Sequence, residues 1–196
     1  MTDRFNKWLR LFNGNAGVTL SSIIAFQQLS GILLPSDYIL FLQHSNGGEG
    51  LVGENSYVIL WKLEELSELN TAYQVSDYAP GIFLIGSDGG GEAYGFDMSL
   101  SPPSVVRIPF VGMDRDHAIV LSDNFVDFLC SLYNFKSNLK PTHTNPVVCS
   151  GKEICEIKPV ILGGDPADLN NKMVVNRQEH IRLVQYWNRI IRDLRK

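Results

Sequence analysis

The amino-acid sequence predicts an α+β fold: a central, mostly antiparallel sheet flanked by helices, with a C-terminal amphipathic helix docked on it. Two apolar-periodic segments with helix start and stop signals lie between Thr19 and Gly48. Short β-branched and aromatic runs, joined by glycine- and proline-rich turns, then occupy Tyr57 to Pro109. A helical repeat returns at Arg177 to Leu194. Consecutive strands joined by short turns favour an antiparallel meander over parallel pairing, which needs long crossovers.

At the amino terminus Phe5, Trp8, Leu9 and Phe12 recur at helical spacing and Asn13-Gly14 stops them, predicting a short docking helix. Thr19 caps a second helix carrying Leu20, Ile23, Ile24, Phe26 and Leu29, whose stripe is assigned to the core and which ends at Ser30-Gly31. After Leu33-Leu34-Pro35, Ser36 or Asp37 opens a third helix through Tyr38, Ile39, Phe41 and Leu42, and Ser45-Asn46-Gly47-Gly48 closes it in left-handed conformation. Tyr57 to Trp61 reads as a strand, and Leu63, Leu66 and Leu69 mark a small amphipathic helix within Lys62 to Tyr73.

Tyr78 to Gly81 is a turn, and Ile82 to Ile85 and Ala93 to Met98 are strands of a hairpin around Gly86, Asp88, Gly89, Gly90, Gly91 and Glu92. Val105 to Ile108 is a further strand ended by Pro109, and Ser122 caps a helix burying Phe125, Val126, Leu129 and Leu132. Ser137 to Pro146 is polar, with extended pieces expected at Val147-Val148, Glu153 to Ile157 and Val160 to Leu162. Gly163 to Asp168 is rich in turn residues. Asn176 and Glu179 form a capping box ahead of a helix with Ile181, Val184, Trp187, Ile190, Ile191 and Leu194 on one face. Its Arg182, Arg189, Arg192, Arg195 and Lys196 point to water or a partner.

The 196 residues fit one domain spanning 1–196, with a core of about 18–136 and a C-terminal extension, 137–196, carrying the final helix 177–194. A net charge of −4 offers no basic field for a nucleic-acid backbone, so direct nucleic-acid binding is set aside. Charged residues interrupt Met1 to Phe12, and no uncharged apolar stretch reaches the about 18 residues of a spanning helix, so a cytoplasmic protein away from the membrane is expected. Cys130, Cys149 and Cys155 lack paired spacing and read as reduced thiols.

Asp88, Glu92 and Asp97 are the candidate carboxylate group for acid–base work or a hard cation. Against that stands a turn whose aspartate bonds its own backbone, the stronger reading. The glycine run lacks the lysine and hydroxyl of a phosphate-binding loop. His143, Cys149 and Cys155 lack the tight spacing of a zinc site, and Cys130 sits in an amphipathic helix as a small hydrophobe. His44, His117 and His180 have no nucleophile beside them in sequence. Trp61 and Trp187 serve either as interface anchors or as core residues, and their periodic surroundings favour the core. No cofactor or metal is expected.

Leu34-Pro35-Ser36-Asp37-Tyr38, Phe41-Leu42, Asn46-Gly47-Gly48, Trp61, Leu66, Ile85 to Glu92, and Phe125 with Phe128-Leu129 occur in an order that resembles the SUKH superfamily. That group includes the yeast cell-wall-synthesis regulator and many bacterial immunity proteins. The resemblance spans roughly Val18 to Tyr133, and Gly164-Asp165-Pro166 with Gln185 to Asn188 is similar to an extension in some bacterial members. It implies a protein-binding fold without common catalytic apparatus. The expectation is a non-enzymatic bacterial immunity protein that binds a cognate polymorphic toxin, for instance a basic nuclease-type toxin, which an acidic protein suits. A housekeeping scaffold in cell-wall assembly is the alternative, and a carboxylate-dependent metal enzyme the third. The expected partner-binding residues are Asn46, Gly47, Gly48, Trp61, Asp88, Gly89, Gly90, Gly91, Glu92 and Asp97.

Overall fold

The helices that open the fold are set by their caps. In the computed structural model, which describes residues 3–135 and 151–195, Thr19 Oγ1 accepts the Ser22 amide at 3.2 Å and starts α2 (Leu20–Ser30). α2 follows a short α1 (Asp3–Asn6) and a strand β1 (Leu11–Ala16), and Gly31 closes it at φ 73°. Asp37 lies in the first turn of α3 (Ser36–His44). Its Oδ2 accepts the Val126 amide of α6 (Phe125–Asn134) at 3.0 Å, so one carboxylate ties two helices 89 residues apart.

Between those helices runs a meander of β2 (Ser45–Val52), β3 (Ser56–Leu60), β4 (Ile82–Ser87), β5 (Glu92–Asp97), β6 (Ser104–Pro109) and β7 (Ile119–Ser122). With β1 they form one seven-stranded sheet in sequence order, every neighbouring pair antiparallel. α4 (Leu66–Ala72) and α5 (Val75–Tyr78) fill the connection from β3 to β4. β8 (Lys152–Glu156) and β9 (Lys172–Asn176) make a separate hairpin that leads into α7 (Arg177–Leu194).

The core has two aromatic centres. Tyr38 and Phe41 of α3 meet Phe125 of α6 at 4.9 and 5.0 Å between ring centroids, and Phe96 and Tyr94 of β5 face Tyr38 and Phe128. In the second, Trp61 stacks on Tyr73 at 5.8 Å, Tyr73 touches Phe110 at 4.6 Å, and His180 of α7 closes the group. Such pairs add about 0.5–1.5 kcal/mol each beyond area burial, which explains why aromatic residues occupy the helix–sheet seams.

Several expectations are corrected. The amino-terminal pattern is a single turn at Asp3–Asn6 followed by a strand, because Leu11 to Gly14 pairs with Leu51 to Gly48 and satisfies the edge of β2. Asn46, Gly47 and Gly48 do not end α3 in left-handed caps; Ser45 is already extended at φ −147° and starts β2. The α2 stripe is only partly core: Ile23 is fully buried, whereas Leu29 is 90 % exposed. Asn124, not Ser122, caps α6, accepting the Asp127 amide at 2.8 Å.

Gly86 belongs to β4, where a Cβ would run into the Ile59 carbonyl. Val160–Leu162 forms a 3₁₀ turn rather than a strand, and β9 supplies the partner of β8. On α7, Leu194 is 71 % exposed, while His180 and Asn188 take buried positions. The capping box of Asn176 and Glu179 is present. Val147-Val148, Ser137 to Pro146, His143 and Cys149 lie outside the described residues. Among those described, no helix is long and apolar enough to cross a membrane.

The Asn124→Ala variant should lose about 1 kcal/mol of unfolding free energy through its cap. Phe125→Ala should lose about 3–5 kcal/mol, because four aromatic neighbours surround the vacated space. Equilibrium urea unfolding measures both.

Candidate protein-binding groove

β3 and β4 pair over only two positions, Ile59 with Ser87 and Leu60 with Gly86. The Trp61 amide adds one more bond, to the Ile85 carbonyl at 2.9 Å, and the chain then turns away. The amino-terminal half of β4 pairs with β5 on one side but has no strand on its β3 side. Asn70 of α4 fills part of the gap: its Nδ2 donates to the Leu84 carbonyl and its Oδ1 accepts the Leu84 amide, both at 2.8 Å. A primary amide carries the donor and acceptor of a peptide group, so it completes the ladder for one residue where no strand can.

Between α2 and the α4–α5 connection this departure opens a groove of about 960 Å³. Its apolar wall is Phe26, Leu29, Ile32, Ile82, Phe83 and Met98. Ser67 and Thr71 supply hydroxyls, and Glu64 is the charged residue on its lining. A concave apolar surface carrying a few fixed polar groups is the usual form of a binding site.

Glu64 is held in place from below. Asn46 Nδ2 donates to its carboxylate at 2.9 Å, and Asn46 Oδ1 accepts the Leu63 amide at 2.8 Å. The Asn46 hydrogen bond comes first among the causes that hold the Glu64 carboxyl below the usual carboxylate range. Gly47, at φ 67°, lets β2 pass close to the Leu60 and Trp61 carbonyls, where a Cβ would collide. Gly48 pairs with Gly14 and Leu60 inside the sheet. The Asn46-Gly47-Gly48 run therefore supports the rim of the groove from the core.

Other expected site residues fall elsewhere. Trp61 is 1 % exposed and stacked on Tyr73, so it builds the core and presents no surface to a partner. Trp187 is half-buried beside Tyr186. Asp88 Oδ1 accepts the Gly90 amide at 2.7 Å and the Glu92 amide at 3.1 Å, the self-bonded turn expected of it. Burial raises both Asp88 and Glu92, partly offset at Glu92 by Arg107 at 3.6 Å. β8 crosses this turn, with the Ile154 amide donating to the Gly89 carbonyl, so Gly89 is covered while Gly91 stays exposed.

Asp97 ends β5 opposite Ile82, whereas the Asp88 turn lies beyond the pair of Ser87 and Ala93. Along an extended strand, Glu92 and Asp97 are about 16 Å apart. Burial raises Asp97, but hydrogen bonds from Ser99 and Arg115 outweigh it and hold its carboxyl below the usual range. The three carboxylates therefore do not converge, and that distance weighs against the metal or acid–base alternative. Among the described residues no cluster of three or more His, Cys, Asp or Glu side chains is placed to hold a metal ion.

Replacing Asn46 by Ala should raise the Glu64 titration midpoint towards an ordinary carboxylate and destabilise the fold by about 1–3 kcal/mol, since the buried Leu63 amide loses its acceptor. Carboxyl-detected NMR titration and urea unfolding read the two effects.

The family model for the SMI1 / KNR4 family (SUKH-1) matches residues 17–131. No curated protein matches the chain. The matched segment runs from just before α2 into α6, so it contains the sheet from β2 to β7 and all of the groove lining. β1 precedes it and the β8–β9–α7 unit follows it. With more than half of its length inside that match, the chain belongs to the SMI1 / KNR4 family (SUKH-1).

Proposed function

We propose that this chain is a non-enzymatic protein-binding module that neutralises a cognate toxin by direct binding, and that the α2–α4 groove seats a segment of the toxin. The observation that carries this reading is the open groove beside the stretch of β4 that β3 does not reach, edged by the 90 % exposed Leu29. A monomeric protein gains nothing by leaving such a surface wet, whereas a partner's row of apolar side chains would be desolvated there at about 25 cal/mol per Å². The fitting segment is amphipathic, with apolar residues for Phe26, Leu29 and Phe83 and a lysine or arginine for ionised Glu64. The net charge of −4 favours the same basic partner through long-range attraction.

The test is co-expression with whatever toxin-like protein a neighbouring reading frame encodes, followed by calorimetry on the purified pair. Wild type should protect the host and bind. Leu29→Asp, at a position that contributes little to folding, should weaken binding tenfold or more, about 1.4 kcal/mol. Glu64→Lys should slow association most at low salt. Absence of a complex together with absence of protection would overturn neutralisation. An unchanged affinity for Leu29→Asp would move the interface away from the groove.

A further inference from the structure

The unit of β8, β9 and α7 is held to the rest of the protein by a polar seam as well as by apolar contact. Tyr73 Oη and His180 Nδ1 share a hydrogen bond at 2.8 Å, Gln185 Nε2 donates to the Ala72 carbonyl at 2.7 Å, and Asn188 bridges the Gly112 amide and the Phe110 carbonyl at 2.6 and 2.9 Å. Each of these groups is matched to its partner. Glu153 is the exception.

The Glu153 side chain is 1 % exposed on β8 and lies against β4, where Ser87 Oγ donates to its two oxygens at 3.1 and 3.3 Å. Among the described residues its ion-pair partner is Arg177 of α7, whose Nε is 4.0 Å away and finds no hydrogen-bond acceptor there. Its Nη1 is drawn instead to Glu65 at 3.4 Å. The remaining groups that bear on the site oppose a negative charge or are neutral: Asp88 of the β4–β5 turn, Glu49 of β2, Tyr57 of β3, Tyr73 beyond α4, and Cys155 on β8 itself. His180 faces Tyr73 and Phe110. One hydroxyl and one distant, shared guanidinium are too little to replace the hydration of a buried carboxylate.

We propose that Glu153 makes the docking of the β8–β9–α7 unit proton-dependent, the unit being held firmly while this carboxyl carries its proton and loosening as it ionises. Undocking returns the carboxylate to water, and relief of that desolvation drives the opening.

The sign follows from the direction of the shift. Burial raises the Glu153 carboxyl from 4.5 to about 7, with Arg177 and Ser87 opposing. A group whose bound-state value is raised contributes stability that is complete below its free value and is lost as pH rises through the raised one. Docking should thus weaken between about pH 5 and pH 8. His180 works in a different window: burial lowers it from 6.5 to about 4, so its contribution is lost only as pH falls through that interval. Between pH 6.5 and pH 8.5 the docked histidine stays neutral and its undocked form contributes only an about twofold opposing change, so Glu153 carries the net loss.

Hydrogen exchange on the full chain at pH 6.5 and pH 8.5, corrected for intrinsic exchange rates, provides the test. In wild type, protection of the β8 and β9 amides relative to that of Glu153→Gln should fall by about fourfold at the higher pH, while that of β4 to β6 stays constant. Glu153→Gln should lose no β8 or β9 protection at the higher pH. Should that variant fail to fold, Ser87→Ala keeps the carboxyl and removes its donor, and the loss of protection should move to higher pH. Wild-type protection that ignores pH, or a pH dependence identical in wild type and the variants, would overturn the proposal.

Discussion

The short pairing of β3 with β4 is the constraint from which the rest of the molecule follows. An antiparallel meander normally keeps neighbouring strands in register along their length, yet here two residue pairs and the Trp61 amide are all that join the halves of the sheet. Since Trp61 leaves the ladder at that point, its indole can drop between the sheet and Tyr73 and seed the second aromatic centre. Since β4 continues beyond β3 with only β5 beside it, α4 must bring Asn70 to the Leu84 peptide, or a buried donor and acceptor would go unmatched at a cost of about 1–3 kcal/mol. The groove is the space that remains once that repair is made.

The same geometry explains why the residues that looked most functional are structural. Asn46 and Gly47 sit where β2 passes the departing chain, so one clamps the Leu63–Glu65 turn and the other removes a side chain that would collide. Asp88 locks the β4–β5 turn through two backbone amides, and β8 then crosses that turn. What such residues leave available to another molecule is Glu64 and the apolar wall opposite it, which no single motif announces.

Burial against polar groups sets the character of the C-terminal unit. His180, Asn188, Gln185 and Glu153 point inward from α7 and β8, and an inward polar group is tolerated only with a partner. Matched pairs give that interface a unique register. Glu153, with the weakest set of donors, makes it responsive.

Much of this was legible along the chain. Thr19, Gly31, Asn176 and Glu179 act within one turn of their own backbone, so the boundaries of α2 and the start of α7 could be read directly. The β4–β5 hairpin and the α+β class followed from alternation and turn chemistry, and the ordered motifs from Leu34 to Leu129 pointed to the family. The strands β1 and β2 were hidden because Asn13-Gly14 and Asn46 to Gly50 are residue types depleted in strands; they are extended because neighbouring strands complete their hydrogen bonds. The exposed side of α2 was hidden for a related reason, since periodicity identifies an apolar face but not whether anything covers it. Local rules therefore determined the caps, the turns and the class of the fold from the sequence alone. The tertiary structure decided where β3 leaves β4, and with it the groove and the burial of Trp61 and Glu153, because those outcomes depend on atoms from segments far apart in the chain.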